Sequence, residues 1–145
     1  MRHKSLLISL VLLTLGLPQQ LTAQTLNGYW SLICYLDILT GKQDCLNPVD
    51  ESETISLKFQ DNGKVGKMYG HTYVNTVDGD YTLEKQNKIK VSNFGGTKVG
   101  EIDWKYDFWI TIRQSSSFKF CGDTLVILFD NDTKAMKFIQ LPNKK

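Results

Sequence analysis

A single antiparallel β domain is the fold that this chain predicts, and three observations predict it. Apolar residues alternate with more polar neighbours in several short runs, the mark of strands buried on one face. Asn-Gly, Asp-Gly and Asp-Asn-Asp turn signals separate those runs. Residues 24–145 contain no linker, low-complexity tract or repeat, and Pro48 and Pro142 are their only prolines, so nothing divides them into two bodies.

Ahead of that domain, residues 1–23 begin with Arg2, His3 and Lys4, continue as an apolar run from Leu6 to Leu17, and close at Pro18 and Thr22-Ala23. This is the pattern of a secretory signal peptide. The run falls short of the roughly 20 residues of a membrane-spanning helix, so no stable membrane anchor is expected. No Cys lies near the cleavage region to be acylated, and the expected product is a free protein starting at Gln24, periplasmic or secreted. Lys and Arg number 17 against 15 Asp and Glu, and Arg2 and Lys4 leave with the signal, so the domain is formally neutral. It lacks the basic field of a nucleic-acid binder, and no nucleic acid is expected as a partner.

The first strand is predicted from Trp30, Leu32, Cys34, Leu36 and Ile38, and the second from Ile55, Leu57 and Phe59. Asn62-Gly63 offers the two positive-φ positions of a tight hairpin, which returns Val65 to Tyr69 antiparallel to the second strand. Asp78-Gly79 and Asn87-Lys88 punctuate the next stretch into strands at Tyr73–Val77, Tyr81–Glu84 and Ile89–Ser92, and Gly95-Gly96 breaks the pattern. Cys121-Gly122-Asp123 and Asp130-Asn131-Asp132 then bound strands at Phe118–Cys121, Leu125–Phe129 and Ala135–Ile139. Residues 101–113 are contested. Ile102, Trp104, Tyr106, Phe108, Ile110 and Ile112 alternate as in a strand, while Trp104, Phe108 and Ile112 also recur every four residues as on a helix.

In an oxidising destination Cys34, Cys45 and Cys121 allow three single pairings, each leaving one thiol. Cys34 with Cys45 is favoured; it closes a loop of about a dozen residues and is worth about 3 kcal/mol by chain entropy. The competing reading keeps Cys34 as a small buried hydrophobe on the face of Trp30, Leu32 and Leu36.

The residues with catalytic chemistry are few. His71 is the one His left after cleavage, which excludes a His-rich metal site, and no Gly-x-Ser-x-Gly, His-Glu-x-x-His or Gly-x-x-x-x-Gly-Lys motif is present. Zinc sites show close Cys pairs, and these Cys are far apart. Asp78 with Asp80 and Asp130 with Asp132 read as turn carboxylates bonded to neighbouring backbone N–H groups. Asn75, a polar amide between Val74 and Val77, needs partners if buried and is expected to tie the sheet to a neighbouring loop. No catalytic residue, metal or cofactor is assigned. Tyr29, Tyr35, Tyr69, Tyr73 and Trp109 make a candidate contact surface, with Tyr35, Tyr73 and Trp109 put first.

The run Asn75-Thr76-Val77-Asp78-Gly79-Asp80-Tyr81 resembles the Asn-x-aromatic-x-Gly-x-Tyr core of the META domain family, whose HslJ-like members are bacterial. Leu26-Asn27-Gly28-Tyr29-Trp30 resembles that family's opening Leu-x-Gly-x-Trp. Ile55 to Phe59, the strand Ile89 to Thr97, and Gly122 to Ile127 follow its order, so the likeness covers nearly all of residues 24–145. The resemblance implies an α+β fold: a curled, barrel-like antiparallel sheet of about eight strands with one helix, residues 101–114, inserted before the last three. Such a helix would turn Trp104, Phe108 and Ile112 inward, keep Trp109 at its margin and leave Tyr106 and Ile110 on the far side. Many relatives carry Cys where this chain has Val74 and Glu101, so the Cys set here is its own. Asn75, Gly79, Tyr81 and Thr97 are the family-motif positions, expected to be structural, with ligand contact as the lesser role.

These readings converge on a non-enzymatic exported envelope protein, a monomer, acting through an envelope or secreted protein or an envelope component, in a stress-related role. The alternative is a calycin-like carrier of a small apolar ligand inside the curl, since Gly28-x-Trp30 also opens lipocalins.

Overall fold

The structure, a computed structural model, describes residues 24–46, 54–100 and 107–142. The expected signal peptide, and Trp104 and Tyr106 of the contested segment, lie outside these residues. Nine strands are described: β1 (Gly28–Asp37), β2 (Gln43–Cys45), β3 (Ser56–Asp61), β4 (Val65–His71), β5 (Thr76–Glu84), β6 (Lys88–Gly96), β7 (Ser117–Cys121), β8 (Thr124–Phe129) and β9 (Lys134–Leu141). One α-helix, α1 (Phe108–Arg113), stands between β6 and β7, ahead of the last three strands. All strand pairings are antiparallel. Neighbours follow the order β1-β3-β4-β5-β6-β7-β8-β9, and β9 pairs back onto β1, so eight strands form a ring-like curl with β2 added outside it on β1. The ring is thin at one point, where β6 and β7 share the single pair Lys88 with Ser117.

Four expectations about the strands are corrected. First, the alternation of β1 is broken by a bulge at Ile33: Leu32 pairs with Phe138, and Cys34 with the adjacent Lys137. An extra residue in one strand turns every later side chain to the opposite face. Trp30 and Leu32 point inward as expected, but Cys34 then faces outward toward β2. Tyr35, expected on a contact surface, is instead a core residue, 2 % exposed. Leu36 is half-buried and Ile38 exposed, for the same reason.

Second, Asp78-Gly79 is not a turn. β5 runs unbroken through it, with Val77, Gly79, Tyr81 and Leu83 inward. Gly79 is the inward residue that carries no side chain, and Phe94 fills the space: a Cβ on Gly79 would lie 3.0 Å from Phe94 Cδ2 and 3.2 Å from its Cα. Opposite Gly79, Asn93 adopts φ of 50° and β6 bulges, since Asp78 pairs with Gly95 but Asp80 with Ser92. Third, the strand expected to stop at Ser92 runs on to Gly96, and β6 includes both Gly95 and Gly96, paired with Asp78 and Val77. Fourth, the expected strand at Tyr73 is absent; Tyr73 sits in the bend between β4 and β5, half-buried against the core.

The Asn62-Gly63 hairpin forms, but only Gly63, at 83°, has positive φ. Asn62 Oδ1 accepts from the N–H groups of Lys64 and Val65, and Asp61 Oδ1 from that of Gly63. Side-chain acceptors thus shape the three-residue link.

In the contested segment the described part is helical. Asp107 caps α1, its Oδ1 accepting from Trp109 N at 2.8 Å and Ile110 N at 3.4 Å. Phe108, Thr111 and Ile112 are buried, Trp109 is half-buried, and Ile110 is 51 % exposed. That is the distribution of a helix packed along one side. The helix touches two walls of the ring, β6 on one side and β1 with β9 on the other. Toward β6, Phe108 and Trp109 pack edge-on against Phe94 at 6.0 and 5.5 Å, and Arg113 donates to the Phe94 carbonyl at 2.8 Å. Toward β1 and β9, Thr111 Oγ1 lies 3.4 Å from Tyr35 OH and 3.5 Å from Met136 Sδ. The helix therefore reaches both walls of the curl, and aromatic contacts such as Phe59 with Tyr81 and Tyr35 with Phe129 lie in the core with it.

Candidate functional site

Three of the motif residues are bound into polar braces, Asn75 and Thr97 into one just before β5 and Tyr81 into another within it, while Gly79 packs on Phe94. At the start of β5, Asn75 is 3 % exposed. Its Oδ1 accepts from Val99 N at 2.7 Å and from Thr97 Oγ1 at 3.0 Å, and its Nδ2 donates to Val99 O at 2.9 Å. Thr97 Oγ1 also accepts from Thr76 N. Asn75 and Thr97 together fasten the segment after β6 to the β4–β5 bend. The two residues, far apart in the chain, are brought together.

Further along β5, Tyr81 is buried and donates its OH to Asp61 Oδ2 at 2.7 Å. The same oxygen accepts from Leu26 N at 2.8 Å, and Leu26 O accepts from the Trp30 indole N–H at 2.9 Å. Asn27 doubles the link, its Oδ1 accepting from Asp61 N and its Nδ2 donating to Asp61 O. Burial, and then the Asp61 carboxylate, push the Tyr81 phenol well above its ordinary value, which keeps it a neutral donor. Gly66, opposite Tyr81, leaves room for this bond: a Cβ there would lie 2.4 Å from Tyr81 Cζ. Asp61 was not singled out in the sequence, where it reads as one more turn residue. Only the fold reveals that it anchors three segments.

At the second brace, the outer face of β3–β6 carries an open groove of about 540 Å³, with Asp61 and Tyr81 among its lining residues. Its exterior wall is the paired row Gln60, Lys67, Asp80 and Ser92. These groups engage one another. Asn93 donates to Asp80, Lys67 stands 3.6 Å from it, and Tyr69 donates to Gln60. The Asn93 bond, then Lys67, hold the Asp80 carboxyl below its ordinary range.

Beside the groove, Tyr29, Lys58 and Tyr69 form the next row across β1, β3 and β4. The Lys58 ammonium lies 5.2 Å from the Tyr29 ring centroid and 5.5 Å from that of Tyr69. Tyr69, chiefly, and Tyr29 raise the Lys58 pKa. Tyr69 is 39 % exposed. The accessible aromatic row is thus Tyr29 and Tyr69. Trp109, half-buried on Phe94, belongs to α1, away from this row.

Cys34 and Cys45 are directly opposite in the β1–β2 register and are joined by a disulfide. Cys121, the last residue of β7, is a free, exposed thiol. His71, at the exposed end of β4, lies with Nδ1 3.3 Å from the Thr72 carbonyl and joins no nucleophile among the described residues. Among those residues no group of three His, Cys, Asp or Glu could hold a metal ion. Asp132 lies at the β6–β7 junction, accepting from Ser116 Oγ and Ser117 Oγ and standing 3.7 Å from Lys88 Nζ.

No protein-family model and no curated protein matches the chain. Two solved structures share its fold. One is a DUF4847 family protein from Bacteroides vulgatus, with a TM-score of 0.56 and 10 % identity over 81 % of this chain and 95 % of that one. The other is a protein from Burkholderia xenovorans, solved by NMR, with a TM-score of 0.54 and 16 % identity over 81 % of this chain and 83 % of that one. At such identities the likeness is one of fold alone.

Proposed function

We propose that this chain is an exported, non-enzymatic envelope protein, a barrel-like relative of the META domain family. In this reading it binds an envelope protein or envelope component through the outer face of β1, β3 and β4. The observation that carries it is the division of labour among polar groups. Asn75, Thr97, Tyr81 and Asp61 are held in braces, while Lys58 stands between Tyr29 and Tyr69 on an accessible strip of sheet. Tyr rings flanking a cation combine apolar area with polar tips and suit a protein contact. The stress-related role and the bacterial envelope setting rest on the family resemblance.

The test is a pull-down from cross-linked envelope fractions with the natural chain and with Lys58→Glu and Tyr69→Ala. A specific partner recovered by the natural chain and lost with both variants supports the proposal. Recovery of no specific partner, or equal recovery by all three, contradicts it. The carrier alternative requires an enclosed apolar space, and the occupation of the curl by α1 and the core aromatics weighs against it.

A further inference from the structure

We infer that the Cys34–Cys45 disulfide is a reducible clip that holds β2 on the sheet, and thereby closes the edge of β1 from Cys34 to Leu36. The inference is independent of the proposed binding face.

β2 contributes no side chain to the core: Gln43 and Cys45 are exposed and Asp44 is half-buried. Three register pairs attach it to β1, Cys34 with Cys45, Tyr35 with Asp44 and Leu36 with Gln43. A ladder that short, burying nothing, is marginal in water. Its far end is the turn closed by Gly41 N to Asp37 O and Thr40 N to Asp37 Oδ1, in which residues 38–42 are all exposed. The covalent bond secures the end away from the turn. β1 itself does not depend on β2, because β9 pairs with it from Tyr29 to Asp37 and its inward side chains Trp30, Leu32 and Tyr35 lie in the core. Losing the bond therefore frees β2 and leaves the ring intact. The main-chain groups of β1 that β2 had covered become a free edge, open to pairing with another extended chain.

The bulge at Ile33 makes this arrangement. It turns Cys34 to the outer face, where Cys45 meets it. Cys34 is 6 % exposed, whereas Cys45 is exposed, so an incoming thiolate reaches the Cys45 sulfur. With a dithiol as reductant, that thiolate bonds to Cys45 Sγ and Cys34 Sγ leaves with the electron pair and takes a proton. The second thiol of the reductant then closes on the first, releasing the Cys45 thiol. Two electrons and two protons pass to the protein, and the reductant becomes a disulfide.

Hydrogen exchange of the full chain, oxidised and after dithiothreitol, tests the clip, with alkylation counting thiols. One alkylated thiol, Cys121, is expected before reduction and three after. On reduction, amides of residues 34–46 should exchange roughly tenfold faster or more, with β8 and β9 unchanged. Cys45→Ser should give the same local pattern without reductant, and its unchanged β8 and β9 report that it is folded. Three free thiols before reduction would overturn the inference. So would unchanged exchange at 34–46 in the reduced protein or in Cys45→Ser, or acceleration spread through β8 and β9.

Discussion

Asn75→Ala removes the acceptor for Thr97 Oγ1 and Val99 N and the donor to Val99 O, leaving partly buried groups without it. Loss of about 2–3 kcal/mol is expected in a urea titration with unchanged slope. Tyr81 gives a second expectation, in alkali. Its folded pKa is raised above the ordinary 10.0, so the stability it confers is fully present below pH 10 and is lost as pH rises toward the folded value. Tyr81→Phe should cost about 1 kcal/mol at neutral pH and make the decline above pH 10 shallower, as read by denaturation at stepped pH. At this scale the sequence was informative where burial follows from type. A polar amide between two valines had to find partners, and Asn75 does. Asp61 was illegible because its role depends on Leu26 and Tyr81, which are distant in the chain and converge only when β1, β3 and β5 are in place.

At the scale of elements, the strands were legible where period two is unbroken, as in β3, or where turn residues bound them, as at β8 and β9. They were misread where a bulge intervenes. Ile33 has no local feature that distinguishes a bulged residue from a paired one, yet it decides the faces of Cys34 and Tyr35. Deleting Ile33 should make Leu32–Phe138 and Cys34–Lys137 consecutive pairs, keep Cys34 outward and Tyr35 inward, and preserve the Cys34–Cys45 bond, so that intact-mass analysis with alkylation finds one thiol. Three free thiols in a folded deletion variant would contradict the bulge account. In β5 the Asp-Gly pair suggested a turn because glycine permits one, whereas here glycine makes room for Phe94. In α1 the residues satisfy both periods, and the choice is made by Asp107 at the N-terminus and by two walls that Phe108 and Thr111 can reach. β2, three residues long, offers no pattern to read.

At the scale of the molecule, closure of the ring depends on its weakest junction. β6 and β7 share one register pair, reinforced by Asp132, which binds Ser116 and Ser117 and faces Lys88. The Ser116 bond first, then Ser117 and the Lys88 charge, hold the Asp132 carboxyl below its ordinary 3.8. A depressed folded pKa means that this contribution is present above pH 3.8 and is lost as pH falls through the folded value. Asp132→Asn should therefore lower stability at neutral pH and flatten its decline as pH falls below the ordinary 3.8, measured by urea midpoints at stepped acid pH.

The account as a whole turns on whether the curl is filled by its own side chains. Native mass spectrometry of the protein purified from its native cell tests this most directly. The predicted result is the bare polypeptide mass with one disulfide and no retained small molecule. Stoichiometric lipid or another apolar ligand that survives purification would contradict it and restore the carrier reading.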